Sequence, residues 1–203
     1  MIFPWQKKIM TFFFCIFYSG SFAQQVTITP YLGINMSKYT TPDVYIESIY
    51  SVDRISSNKI TGMSCGMNLS YRINRQINII SGIGYYLDGN VYRYIEYKTE
   101  HRFHNINIPV LLEYKLCNNL SLYTGLTNYY MFKHTQKTIF GDTFLNPHFK
   151  KYNVDVPIGL SLNMGNICFD VEYKIGLINR LKENIEGYSR SLSFKLGYKI
   201  FMR

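Results

Sequence analysis

The stretch "EHRFHNINIP", residues 100–109, puts His101 and His104 three positions apart. Histidine is the side chain best suited to hold a metal or move a proton near neutral pH. On a helix that spacing makes a weak metal pair. On an extended segment the two rings point to opposite faces, so ligation is not expected of them. His134 and His148 stand in a later connection without ligand spacing. All four are read as solvated residues in or beside long connections. Paired carboxylates are the second candidate chemistry. Asp155/Asp170 and Asp170/Glu172 can divide acid and base roles if a cleft brings them together. Here they share the chain with Lys115, Lys174, Lys195 and Lys199, so a salt-bridge network is expected instead. The sequence has no Gly-x-Ser-x-Gly elbow, phosphate loop or zinc signature. The reading is of no catalytic residue, no metal and no cofactor.

The elements that carry these charges are legible in "NKITGMSCGMNLSYRIN", residues 58–74. From Thr61 to Ile73 the odd positions are Thr, Met, Cys, Met, Leu, Tyr and Ile. The even positions between them are Gly, Ser, Gly, Asn, Ser and Arg. Strict alternation means a strand with two unlike faces. The same pattern recurs in "VTITPYLGINM", "INIISGIGYYL", "NINIPVLLEYKL", "LSLYTGLTNYY", "YNVDVPIGLSLNM", "ICFDVEYKIGL" and "RSLSFKLGYKIF". That makes eight segments, each of about ten residues, the length that spans a bilayer when tilted. No segment beyond the first 25 residues shows a useful helical period.

Composition agrees. Of 203 residues, 17% are aromatic and 17% charged, rich in strand formers and poor in charge. Mean hydropathy is −0.09, which excludes a helical membrane protein. The N-terminus, "MIFPWQKKIMTFFFCIFYSGSFAQQ", reads as a signal peptide over residues 1–23. Lys7 and Lys8 precede a short apolar run, and Ser21-Phe22-Ala23 is a small-x-small site. An uncleaved N-terminal anchor is the alternative. The barrel domain then covers 24–203. It stays basic, from a formal net charge of +9 for the whole chain, which suits anionic lipid or polysaccharide and not nucleic acid. Cys65, Cys117 and Cys168 remain, an odd and scattered set that is no disulfide framework.

Connections alternate in length. Turns at 74–76, 117–119 and 165–166 are tight, and long connections run near 38–57, 88–102, 133–151 and 180–188. An up-and-down antiparallel barrel does this, with short turns on one rim and long loops on the other. The orientation of its faces follows from charge. The polar face carries Arg72, Glu113, Lys115, Asp155, Asp170, Glu172, Lys174, Lys195 and Lys199. Turned outward, it would leave about forty bulky apolar side chains inside, too many for an eight-stranded lumen. Turned inward, four acids stand among five bases. A lysine or arginine facing lipid at mid-depth would cost about 2–4 kcal/mol. The apolar face therefore looks into a bilayer, and a soluble lipid-binding barrel is the alternative. Tyr71, Tyr114, Phe169 and Tyr198 fall near the short-turn ends, and Tyr85, Tyr130 and Tyr152 near the others, as aromatic girdles do.

Pro109 and Pro157 fall inside alternating runs, so a bulge or break is expected near each. An Ile-Pro followed by apolar residues and "EYK", a tight turn and "LSLYTGL", together with "GIGYY" and the closing "FKLGYKIF", resembles the PorT-like outer-membrane β-barrel family of the Bacteroidetes type. The resemblance spans roughly residues 25–203. It implies an all-β, eight-stranded antiparallel up-and-down transmembrane β-barrel in the outer membrane, behind a cleavable signal peptide. Some members are tied to secretion or gliding, which no motif carries over to this chain.

The expected role is non-enzymatic, structural or partner-binding, exerted through the outer loops. Expected partners are outer-membrane lipid, lipopolysaccharide and envelope or secretion proteins. The alternatives are an enzyme acting on lipid or peptide at the loop rim, with His101 or His104 as base, and a narrow pore. In "FKHTQKTIFGDTFLNPHFKKY", residues 132–152, Lys133, Lys137, Lys150 and Lys151 flank an apolar middle. These lysines are expected to meet lipopolysaccharide phosphates.

Overall fold

The computed structural model describes residues 26–40, 45–48, 51–54, 56–94, 97–138, 141–143, 149–179 and 187–202. The expected signal peptide lies outside them, as does His148. Eight long strands follow in order: β1 (Val26–Thr40), β2 (Ile60–Arg72), β3 (Ile77–Tyr94), β4 (Tyr97–Lys115), β5 (Leu120–Thr138), β6 (Tyr152–Met164), β7 (Ile167–Gly176) and β8 (Tyr188–Tyr198). Each pairs antiparallel with its chain neighbours, and β8 pairs with β1 to close the sheet. A last short strand, Ile200–Met202, carries the β8 edge down to Val26–Ile28. The period-2 pattern admits nothing else: a helix would wind these apolar residues around its whole circumference.

Closure gives the sheet an outside and an inside. Outside, Leu32 is 70% exposed, and Ile34, Ile83, Val110, Leu112, Leu160 and Leu196 are exposed with it. Tyr71, Tyr114, Phe169 and Tyr198 ring this wall at the short-turn end, and Tyr130 and Tyr152 at the other, all exposed. Inside, the wall meets buried polar side chains and, among the described residues, five buried tyrosines, Tyr31, Tyr39, Tyr86, Tyr123 and Tyr129. Small residues make room for those rings. A Cβ at Gly159 on β6 would run into the ring of Tyr123 from β5.

The short turns are held locally. The Asn74 side chain accepts the amides of Gln76 and Ile77 at 2.8 and 2.7 Å, an Asx turn. Gly165 takes φ 61° between β6 and β7, the positive φ that a two-residue hairpin demands.

One expectation is corrected. The connection near 88–102 is not an irregular loop. β3 and β4 stay paired from Asp88↔Phe103 up to Tyr94↔Tyr97. The connection near 133–151 likewise begins as strand, with β5 reaching Thr138 and pairing with Gly141–Thr143. Around 38–57, Tyr45–Ser48 pairs with Ser51–Arg54, and Ser56–Asn58 pairs with β3. Past the lipid both faces of a strand meet polar surroundings, so the alternation that marks a strand fades there. At the prolines the ladder breaks, one of the two outcomes expected there. At Pro109 the ladder to β3 lapses between Ser81↔Val110 and Gly84↔Asn107. At Pro157 the ladder to β5 lapses between Asp155↔Thr127 and Ile158↔Thr124. Register is unchanged across both gaps, so neither proline sits at a bulge. The bulge is on β5, where His104↔Lys133 gives way to Asn105↔Met131.

Gly159→Leu should lower stability by about 1–3 kcal/mol, because Tyr123 has nowhere to move. Leu160→Val, which faces lipid, should change it by less than about 0.5 kcal/mol. Urea unfolding in lipid vesicles measures both.

Candidate functional site

Halfway through the barrel the inward row of β7 brings Glu172 and Lys174 two residues apart on one face, and β8 brings Lys195 in diagonally. The Glu172 carboxylate lies 3.2 Å from Lys174 Nζ and 2.8 Å from Lys195 Nζ. Glu172 and Lys174 are each 1% exposed. Lys174 Nζ also stands 3.8 Å from the centroid of the Tyr86 ring, a cation–π contact strengthened by exclusion of water. The Tyr86 hydroxyl donates to Ser191 Oγ at 2.9 Å, and its ring packs 5.3 Å from Tyr129. Charge and aromatic bulk together fill this section of the lumen.

The other charged residues of the inward face are held differently. Glu113 is buried and accepts from Asn78 Nδ2 at 2.6 Å. Asp155 is buried and accepts from Asn153 Nδ2 at 2.7 Å and Ser189 Oγ at 2.9 Å. Asp170 is half-buried and lines a small void with Lys195 and Lys199. Lys199 Nζ donates to Asn163 Oδ1 at 2.6 Å. Arg72 is exposed and Lys115 half-buried, both at the short-turn mouth. Among the described residues, direct ion pairs within this set join only Glu172, Lys174 and Lys195.

At the opposite end the structure brings together residues that the alternation separated. Before the β5 bulge the inward residues are odd: Thr127, Tyr129 and Met131 are buried. The bulge leaves Phe132 and Lys133 both exposed, so the next inward residue is His134, which is 4% exposed. His134 Nε2 then meets His101 Nδ1 at 3.0 Å, the rings stacked with centroids 5.3 Å apart. Phe103 lies 4.8 Å from His134, Phe149 5.0 Å from it, and Tyr39 packs edge-on to Phe103. Tyr39, Phe103 and Met131 form a buried cluster inside the outer mouth. The histidines expected to be solvated are thus corrected: His101 and His134 are packed because the hairpins continue as sheet and the bulge turns His134 inward. His104 faces outward, as extended backbone requires, and shares a 2.7 Å hydrogen bond with the Tyr85 hydroxyl. Strict parity could not have found His134. The signal was "YYMFKH", where two apolar residues and a lysine break the alternation.

Electrostatics around His101 are one-sided. The apolar band on β4 ends at Ile106, so His101 stands beyond the lipid. Burial first, and the neighbouring His134 second, push its pKa down from 6.5 to about 4. The charged groups about it are Glu100 and Arg102, joined by an ion pair on β4, Asp88 on β3, and Lys133 and Lys137 on β5. Asp88 accepts from Tyr39 at 3.0 Å and Asn105 at 2.9 Å. A neutral imidazole pair can pass one shared proton; no group of three His, Cys, Asp or Glu able to hold a metal occurs among the described residues. The lysines expected at lipopolysaccharide, Lys133, Lys137, Lys150 and Lys151, are all exposed. The apolar middle of their connection lies largely outside the described residues.

A family model described as outer membrane protein beta-barrel domain matches residues 22–182. No curated protein matches the chain. Among solved structures the chain is similar to the Neisserial surface protein A, with 15% identity, a TM-score of 0.54 and coverage of 85% of this chain and 97% of that one. It is similar also to Ail of Yersinia pestis, solved in complex with the heparin analogue sucrose octasulfate. There identity is 13%, the TM-score 0.53, and coverage 88% of this chain and all of the other. These likenesses are of fold.

Glu172→Gln should cost about 3–5 kcal/mol, since it leaves two buried lysines without their counter-charge. Asp170→Asn, half-buried and outside the ion pairs, should cost less than about 1 kcal/mol. Urea midpoints in vesicles separate the two.

The His101 shift has a definite sign. Its folded pKa lies below the unfolded value, so the stability that it lends the outer hairpins is complete above about pH 6.5. That stability is lost as pH falls toward about 4. Hydrogen exchange, corrected for intrinsic rates, should show 97–104 and 133–138 losing protection at pH 5 relative to pH 7.5, while 106–115 keeps it. His101→Phe should abolish the difference.

Proposed function

The chain belongs to the outer membrane protein beta-barrel domain family, and from that premise we propose that it is a non-enzymatic barrel which binds partners through its outer hairpins. It is an integral protein of the Gram-negative outer membrane. In this reading both termini and the short turns, which an even strand count puts on one side, face the periplasm, and the hairpins lie outside. The observation that carries the proposal is the filled lumen beneath strands that stay paired past the lipid. Tyr86, Tyr129, Glu172 and Lys174 occupy the middle of the barrel with almost no exposure, which leaves no bore for solute diffusion. What the barrel offers is then a rigid stalk that holds β3, β4 and β5 above the lipid.

The contact surface follows from where the exposed lysines stand. Lys133 and Lys137 lie on β5 beyond the apolar band, and Lys150 and Lys151 lie just before β6. The segments that carry them are joined by a 2.7 Å bond from the Met131 amide of β5 to the Lys151 carbonyl. Charges at this height meet the phosphates of lipopolysaccharide. Coulomb attraction holds them at low ionic strength and fades once the Debye length falls below the separation. The sulfated ligand in the Ail complex supports this by fold analogy alone. Envelope or secretion proteins are the further partners in this reading. The "NINIPVLLEYKL" and "FKLGYKIF" patterns are the support for a PorT-like member of the family. The signal peptide over 1–23 is part of the same proposal. An enzyme at the rim has less support, since His101 is bonded to His134 and His104 to Tyr85.

Replacing Lys133, Lys137, Lys150 and Lys151 with glutamine should weaken retention on immobilised lipopolysaccharide at least several-fold at low salt and change little at high salt. Equal retention of variant and wild type at low salt would remove lipopolysaccharide from the proposal.

A further inference from the structure

The lumen's two halves treat charge differently. In the middle, two lysines share one carboxylate. At the short-turn mouth a cavity of about 160 Å³ is lined by Arg72 from the end of β2, Lys115 from the end of β4 and Lys199 just past β8, with Ser70, Asn78 and Asn163 between them. No acid lines it, and among the described residues none of its three cations makes an ion pair. Glu113, on the same inward row as Lys115, is turned to Asn78.

From this convergence we propose that the periplasmic mouth of the barrel binds a phosphate-type oxyanion. Three segments that are far apart in sequence deliver a cation each to one cavity, and an anion among them relieves the repulsion of like charges so placed, beyond what Glu113 and Asp170 in the adjoining void supply. Low-dielectric walls on every side focus the field into the mouth. The donor set suits a tetrahedral oxyanion. A guanidinium offers a planar fork for two oxygens, and the ammonium groups add point charge. Ser70 adds a neutral hydroxyl donor. Lys199 is already steered into the cavity by its 2.6 Å bond to Asn163 Oδ1. The space is large enough for several waters, and so for one phosphate and part of its hydration.

The lining residues face the lumen, whereas Tyr71, Tyr114 and Leu116 face lipid at the same level. The oxyanion therefore enters from the periplasm, as a free phosphate or as a phospholipid headgroup that bends over the rim.

The test titrates inorganic phosphate into the full mature protein by calorimetry, first in a maltoside detergent that carries no phosphate. Wild type should bind saturably. Lys115→Gln and Lys199→Gln should each weaken binding about tenfold, Lys199→Arg should retain it, and Lys59→Gln, exposed at the far end, should leave it unchanged. Heat-modifiable migration on gels identifies folded variants. The titration is repeated in nanodiscs of phosphatidylglycerol. Unchanged affinity there assigns the site to free oxyanion, and competition assigns it to the headgroup. Either result carries the proposal. No saturable binding by wild type in maltoside, or equal binding by folded Lys115→Gln and Lys199→Gln variants, overturns it.

Discussion

In hydrocarbon an unpaired backbone amide has no water to bond, and each such group costs several kcal/mol. A sheet in lipid meets that constraint only by closing on itself. Here the closing ladder joins β1 to β8 over ten residue pairs, from Tyr31↔Gly197 to Thr40↔Tyr188. Everything else in the molecule follows from closure with eight strands. The bore is narrow, so its contents must pack as a core packs. The wall is one residue thick, so each side chain belongs either to lipid or to the lumen.

That division explains where polar chemistry sits. Glu172 is stabilised by Lys174 and Lys195 because all three are confined to the lumen, where no water competes for them. Tyr86 closes over Lys174 for the same reason. Away from this level the lumen opens at both ends and the filling changes. The outer mouth is filled by rings from β1, β4 and β5, and the inner mouth is lined by cations from β2, β4 and the C-terminal edge. The protein thus has a sealed middle and two chemically different mouths.

The ladder is tolerant where its donors fail. Pro109 and Pro157 lack an amide hydrogen, and each coincides with a lapse in pairing that leaves register intact. Neighbouring pairs on both sides hold the strands in place. The bulge beside His104 is different in kind. It inserts one residue, moves the whole outer part of β5 to the opposite parity and so decides which side chains face the mouth.

Alternation alone determined the fold, because a period of two in eight runs can be satisfied only by strands, and a charged face can be buried only inside. From it came the barrel, the lipid face, the girdles and the inward placement of Glu113, Asp155, Glu172, Lys174 and Lys195. The same period could not see past its own limits. Beyond the lipid both faces of a strand are polar, so the hairpin from Asp88 to Phe103 read as a loop. Parity is carried forward residue by residue, so a single bulge at Phe132–Lys133 hid the inward turn of His134. Nor does parity give depth or partner. That Glu172 takes two lysines, while Arg72, Lys115 and Lys199 share a mouth that no acid lines, was decided by strand stagger, which brings together residues as far apart in the chain as Arg72 and Lys199.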